Sequence, residues 1–202
     1  MNFLAHLYLS GTEPDIQLGN FIGDFVKGRN LTEQFGSGIA KGIELHRAID
    51  EFTDKHLVVK RSKERLRPKY GHYSPVIVDI FYDHFLARNW DRFHKTFLPD
   101  YTEQVYSMIM SRENILPEKV KWMMPYMIKG NWLANYARVD GIGRVLNGMS
   151  RRTPYDSKMD EAVEDLKISY AEFEKEFFEF FPELEKHSSE FLLTSPPNPL
   201  YQ

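Results

Sequence analysis

Residues 75–90 read Pro75-Val76-Ile77-Val78-Asp79-Ile80-Phe81-Tyr82-Asp83-His84-Phe85-Leu86-Ala87-Arg88-Asn89-Trp90, and the reading of this stretch decides the fold class. Val76, Ile77, Val78, Ile80, Phe81, Phe85, Leu86 and Trp90 cover most of a helical circumference, so a helix buried on nearly all sides is predicted. Such a helix needs other helices around it, and the flanking sequence supplies them. Phe3, Leu4, Leu7 and Tyr8 fit a short first helix ending near Ser10-Gly11. Glu13-Pro14-Asp15 reads as a helix start, followed by a stripe of Leu18, Phe21, Ile22, Phe25 and Val26 up to Gly28. A polar loop is predicted at 29–37, then a third helix from Ser37 to His56 with a basic segment continuing from it. Beyond Trp90, helices are predicted near 100–112 and 117–129, one or two over 131–149, and a long one over 156–181. In the last, Met159, Val163, Leu166, Tyr170, Phe173 and Phe177 recur at three- and four-residue spacing. Neither a hairpin nor an alternating strand run is evident, so the fold class is all-α. Without an internal repeat or a composition shift, residues 1–190 read as a single multi-helix domain. Thr194-Ser195-Pro196-Pro197-Asn198-Pro199 makes 191–202 a loose C-terminal tail.

Composition narrows the chemistry. The 202 residues contain no cysteine, which excludes a disulfide framework, a thiolate metal site and a cysteine nucleophile. The apolar N-terminus has no basic flank and is interrupted by His6, so no signal peptide is read. No apolar run approaches the length of a membrane span, and the expected location is the cytoplasm, without membrane insertion. A net charge of −3 gives no general argument for nucleic acid, and none is expected as a partner. Charge is nevertheless clustered: Lys60, Arg61, Lys63, Arg65, Arg67 and Lys69 lie in ten residues with one glutamate. A solvated helix face accounts for that cluster as well as a dock for an acidic partner does. There is no P-loop, G-x-S-x-G or G-x-G-x-x-G motif, and Gly36-Ser37-Gly38 is explained by a turn and helix start as readily as by an anion loop.

The informative residues are polar ones at apolar positions. Ile39, Ile43, His46, Asp50 and Thr53 step by four, three, four and three, so His46 and Asp50 occupy a stripe meant for the core and can reach a common point. Asp79 and Asp83 share a face of the apolar helix, where two carboxylates repel unless a cation lies near. His84 is offset from Asp83 by about one hundred degrees. Asp24 borders the second helix's stripe one turn after Asn20, and His6 interrupts the first. Singly, each reads as a hydrogen-bonded core residue, a cap or half of an ion pair. Together, four helices placing His or Asp against apolar surroundings point to a shared metal site. Imidazole with carboxylate and no thiolate suits Mn²⁺, Mg²⁺, Fe²⁺ or Zn²⁺ without choosing among them. His56, His72, His94 and His187 lie in polar or terminal contexts and receive no role.

These residues fall within a familiar set. The sequence resembles the acyl carrier protein phosphodiesterases through Met1-Asn2-Phe3-Leu4-Ala5-His6-Leu7, Gly19-Asn20-Phe21-Ile22-Gly23-Asp24-Phe25-Val26 with Gly28, and Gly42-Ile43 with His46-Arg47, Ile49-Asp50 and Thr53-Asp54. It continues through Asp79, Asp83-His84-Phe85-Leu86, Trp90, Trp132-Leu133, Tyr136, Val145-Leu146-Asn147-Gly148-Met149 and Arg151-Arg152, and spans roughly residues 1–182. That family is similar to the helical HD-type metal phosphohydrolases, although Asp83-His84 inverts the usual His-Asp pair. The resemblance implies hydrolysis, with Mn²⁺, of the phosphodiester joining 4′-phosphopantetheine to a serine of holo-acyl carrier protein. Metal-activated hydroxide would attack phosphorus as the seryl oxygen leaves. It carries His6, Asp24, His46, Asp50, Asp79, Asp83 and His84 over as site residues. Asp24, His46, Asp83 and His84 are expected to hold the metal, and His6, Asp50 and Asp79 to stand behind them. Arg47 is a candidate for neutralising phosphate, with a surface ion pair its plain alternative. Acyl carrier proteins are acidic, so the 60–69 segment becomes the expected dock, one that charge reversal at Arg61, Lys63 and Arg65 should weaken.

Two other readings remain at this stage. A hydrolase of a nucleotide or guanosine polyphosphate keeps the metal site but has no use for a protein dock. A non-catalytic helical adaptor binds an acidic protein without metal and leaves the inward carboxylates unexplained.

Overall fold

The computed structural model describes residues 1–194, and every regular element among them is a helix. In chain order these are α1 (Phe3–Leu9), α2 (Pro14–Ile22), α3 (Leu31–Phe35), α4 (Ser37–Lys55), α5 (Leu57–Tyr70), α6 (Ser74–Arg88), α7 (Leu98–Met110), α8 (Glu118–Lys129), α9 (Trp132–Asn135), α10 (Val139–Ser150), α11 (Ala162–Ile168) and α12 (Tyr170–Thr194). As its sequence requires, α6 runs through the middle: eleven of its fifteen residues are buried, and it packs against α1, α5, α10 and α12. Aromatic side chains fill the seam with α12. Phe81 meets Phe173 edge to face at 5.1 Å and Tyr82 meets Phe177 at 5.8 Å, geometries that add to the burial of large apolar surfaces.

The α2–α4 contact is a close crossing and depends on two glycines. A methyl on Gly19 would fall 2.0 Å from the Ile39 carbonyl oxygen, and one on Gly42 would fall 2.2 Å from that of Ile16. Backbones therefore touch where side chains would normally separate them. Asn20 and His46, next to these two glycines in sequence and one turn on, are brought together as a result.

Several elements differ from expectation, for local reasons. The loop predicted at 29–37 contains α3, closed by Gly36 at φ +81, and Gly36-Ser37-Gly38 is the turn into α4 rather than an anion loop; Gly38 packs on Asp15. The basic segment is a separate helix. The backbone is extended at His56 (ψ 131), and the His56 ring accepts from Val58 N at 3.3 Å to start α5. The long terminal helix expected over 156–181 is broken at Ser169 (φ −112, ψ 35) into α11 and α12. Beyond Phe181, α12 continues through Pro182 to Thr194, so residues 191–194 of the expected tail are helical, while 195–202 lie outside the described residues. No helix among the described residues is long and apolar enough to cross a membrane.

Candidate metal centre

Asn20 organises the site. It is fully buried on α2, and its amide nitrogen donates to the His6 carbonyl and to Ser10 Oγ, both at 2.8 Å. Those two bonds fix the amide's orientation, so Oδ1 is an acceptor, and His6 Nδ1 donates to it at 2.7 Å. The backbone carbonyl of the same residue accepts from His46 Nδ1, also at 2.7 Å. One asparagine thereby sets both tautomers and leaves both Nε2 lone pairs pointing the same way, as outer partners of metal-bound histidines do. The two rings stack with centroids 4.0 Å apart and planes within 16°.

What faces those lone pairs is carboxylate. His6 Nε2 lies 3.3 Å from Asp50 Oδ1 without the alignment of a hydrogen bond, and His46 Nε2 lies 3.2 Å from both Asp50 Oδ2 and Asp24 Oδ1. Ligand atoms of His6, His46 and Asp50 all fall within 4.8 Å of one another. Acceptors facing acceptors repel unless a proton or a metal ion lies between them, so this donor set fits a divalent cation. Without one, a proton takes its place. Burial disfavours a charged His46, but its contacts with Asp24 and Asp50 outweigh burial and raise it to about 9. Burial and the neighbouring His46 lower His6 to about 4. Burial of Asp50 is likewise overcome by His46 and His6, which hold its carboxyl far below the usual range, and contact with His46 lowers Asp24. The histidines are buried, whereas the Asp24 side chain is 68% exposed, so the centre opens to solvent on the carboxylate side.

The other sequence-derived residues divide into neighbours and outsiders. Asp79 stands beside the cluster: its Oδ1 is 3.1 Å from the Met1 amine, which is itself 3.8 Å from Asp50. Burial raises the Asp79 carboxyl, against the pull of the amine. Arg47 donates to the carbonyls of Val26 (3.4 Å) and Gly28 (3.1 Å), so its guanidinium sits over the loop that follows Asp24. Asp83 and His84 are not brought to the cluster. Asp83 accepts from Asn2 N at 3.2 Å and Leu4 N at 2.8 Å, satisfying unpaired N–H groups at the start of α1. Burial there raises it to about 7. His84, turned away by its offset, bridges the Tyr136 carbonyl at 2.7 Å and the Tyr170 hydroxyl at 2.9 Å. The converging set is therefore His6, His46 and Asp50 with Asp24 at its edge, not the expected Asp24, His46, Asp83 and His84. Sequence reasoning passed over Asn20 as a working residue. Its signal was an amide between Leu18, Phe21 and Ile22, all buried.

The basic helix α5 is largely paired already, mostly with neighbouring helices. Arg65 makes two 2.7 Å bonds to the buried Glu176, Arg61 pairs with Glu179, Lys63 with Asp54, Lys69 with Asp165 and Glu161, and Lys60 approaches Glu64. Arg67 alone of the six has no carboxylate within ion-pair distance among the described residues.

Fold and site together define a helical protein with a buried two-histidine, carboxylate-lined centre suited to a divalent cation. The model of the acyl carrier protein phosphodiesterase family matches residues 1–184, and the chain belongs to that family. Relatives named acyl carrier protein phosphodiesterase include one from Photorhabdus laumondii, 36% identical over 183 residues that cover 90% of this chain and 92% of the relative. Another, from Enterobacter sp. strain 638, is 34% identical over 91% of this chain and 95% of its own length. One from Escherichia coli O157:H7 is 33% identical over 94% and 98%. No solved structure matches the chain significantly.

Proposed function

We propose that this chain hydrolyses holo-acyl carrier protein to the apo-protein and 4′-phosphopantetheine, using a divalent cation, Mn²⁺ foremost, held by His6, His46 and Asp50. One observation carries the reading: two imidazole lone pairs, fixed by Asn20, face the carboxylates of Asp50 and Asp24 across a gap that calls for a cation. A cation bound there supplies Lewis acidity, polarising a phosphoryl oxygen and activating water near neutral pH. The protein's own groups do the rest. Asp24, at the open edge, accepts a proton from the attacking water. The guanidinium of Arg47, beside the same loop, offsets phosphate charge. As the new oxygen–phosphorus bond forms, the bond from phosphorus to the seryl oxygen breaks, and that oxygen takes up a proton from solvent at the open edge, where Asp24 releases the one it accepted. In this reading the chain works in the cytoplasm with the chemistry of an HD-type hydrolase, its His-Asp series contributed by α1, α4 and the turn after α2. Docking of the carrier on Lys60, Arg61, Lys63, Arg65, Arg67 and Lys69 has to compete with the ion pairs that α5 already makes with its neighbours, so that face is the less economical choice.

The test is to incubate the purified protein and Mn²⁺ with holo-acyl carrier protein and follow the carrier's intact mass. Loss of the phosphopantetheine mass, abolished by chelator, is the expected result. An unchanged mass with a metal-filled site refutes the substrate, and an unchanged mass with no metal bound refutes the centre.

A further inference from the structure

A cleft of about 390 Å³ opens beside the metal centre. It is lined by Phe3 of α1 and Phe25 of the turn after α2, by Tyr73 and Val76 at the start of α6, and by Trp132 of α9 and Met149 of α10, all only partly buried. The inner end adjoins the centre through the chain itself. Phe25 follows Asp24 in the turn after α2, and Asn2, also in the wall, precedes Phe3 and follows Met1, whose amine lies against Asp79 and Asp50. Arg152 also lines it, and a second, smaller hollow of about 150 Å³ shares Trp132, Val145 and Arg152 with it and reaches Arg144. Six large apolar side chains left uncovered around a concavity, with a few polar groups among them, describe a ligand cleft better than a packing fault.

Resting on the hydrolase reading, we infer that this cleft receives the pantetheine part of the substrate. The scissile phosphodiester adjoins the carrier's serine, so with phosphorus at the centre the carrier body stays outside while the arm must extend away from it. The arm beyond the phosphate is uncharged, with a gem-dimethyl group first, two amides next and a thiol last. Phe3 and Phe25, nearest the centre, meet the dimethyl group. Asn2 and Thr153 offer hydrogen bonds to the amides, and Trp132 and Met149 cover the sulfur end. Arg151 and Arg152 have no carboxylate within ion-pair distance among the described residues.

Filling the cleft at a distance from the centre tests this. Val145→Trp and Met149→Trp place a large side chain where the far half of the arm would lie, touching neither His6, His46, Asp50 nor Asp24. Each is compared with the wild type on holo-acyl carrier protein and on bis-p-nitrophenyl phosphate, a diester without the arm. The expected result is a tenfold or greater rise in KM for the carrier, with unchanged bound Mn²⁺ and unchanged turnover of the small diester. In parallel, 4′-phosphopantetheine is titrated into the wild type while Trp132 fluorescence is followed, with Trp132→Phe as the reference for Trp90 and Trp122. A saturable change lost in Trp132→Phe supports the assignment even where one filled variant folds poorly. Normal carrier hydrolysis by both filled variants, or equal loss on both substrates, overturns it while leaving the hydrolase reading intact. Should the wild type fail to process the carrier at all, the hydrolase reading falls; absence of phosphopantetheine binding then removes the cleft assignment as well.

Discussion

Gly23→Ala is the most direct test of the centre's geometry. Gly23 begins the turn that carries Asp24, and a methyl built on it would lie 2.3 Å from Cγ of the His46 ring, where ordinary contact starts at 3.4 Å. The ring has to retreat by roughly 1 Å. Its Nε2 is 3.2 Å from Asp24 and Asp50, its Nδ1 is 2.7 Å from the Asn20 carbonyl, and His6 is stacked on it at 4.0 Å, so the retreat disturbs every partner. The backbone offers no excuse: at φ −52 and ψ −42 alanine is as comfortable as glycine and would on its own stabilise the chain by about 0.4–1 kcal/mol. Overpacking costs about 1–3 kcal/mol, so steric strain should win and give a net loss of about 1–2 kcal/mol. Moving one ligand off its outer partner should weaken metal binding about 10–100-fold. Thermal unfolding in chelator reads the first quantity, and calorimetric titration with Mn²⁺ reads the second. A variant more stable than the wild type with undiminished Mn²⁺ affinity would falsify the placement of His46 against Gly23.

Three further outcomes are expected. Asn20→Ala removes three buried side-chain bonds of 2.7–2.8 Å and frees the His6 ring, so it should cost about 3 kcal/mol or more in urea unfolding and impair Mn²⁺ binding; retained affinity would show that Asn20 does not set the ring. For Asp83, raised to about 7 by burial, the unfolded chain sheds its proton near pH 4 and the native chain near 7, so stability falls as pH rises between them, by at most about 4 kcal/mol. Asp83→Asn should flatten that part of the pH–stability curve while leaving Mn²⁺ stoichiometry unchanged, and loss of bound metal would return Asp83 to the centre. Arg65→Ala breaks the pair with buried Glu176 and should destabilise by about 2 kcal/mol, against less than about 0.5 for Arg67→Ala; equal small effects would mark α5 as a free basic face.

The fold was legible because its signal is periodic and redundant. The apolar circumference of α6 predicts a central helix, and the glutamate-proline start of α2 and the stripe of α4 place their neighbours. The ends of elements were harder, since a single extended residue at His56 or a break at Ser169 costs little in sequence. In the site, His46 and Asp50 were found together because both lie on one helix, where spacing fixes proximity. Asp83 was misplaced because spacing tells which residues share a face but not what that face meets. The α2–α4 crossing could not be read at all. It depends on Gly19 and Gly42, far apart in sequence, touching each other's helix backbones.

Buried polar residues in this chain perform two kinds of work, and hydrogen-bond satisfaction separates them. Asp83 is an acceptor surrounded by donors, and His84 is a ring with both nitrogens partnered. Removing either leaves other groups unpaired, which is the mark of a residue that holds the fold. His6, His46 and Asp50 differ. Asn20 occupies the donor side of each ring, and what remains is an acceptor facing an acceptor, a contact that needs a proton or a metal ion between its two sides. Apolar side chains in place of the two buried rings would fill the same space without needing a charge partner, so packing alone does not call for the arrangement. The repulsion is concentrated at the one edge that Asp24 leaves open to solvent, with an apolar cleft adjoining it, which is where a phosphodiester would have to approach. The sequence pattern showed that polar groups were buried; the direction of their lone pairs separates the group whose geometry fits a metal ion from the groups that hold the fold.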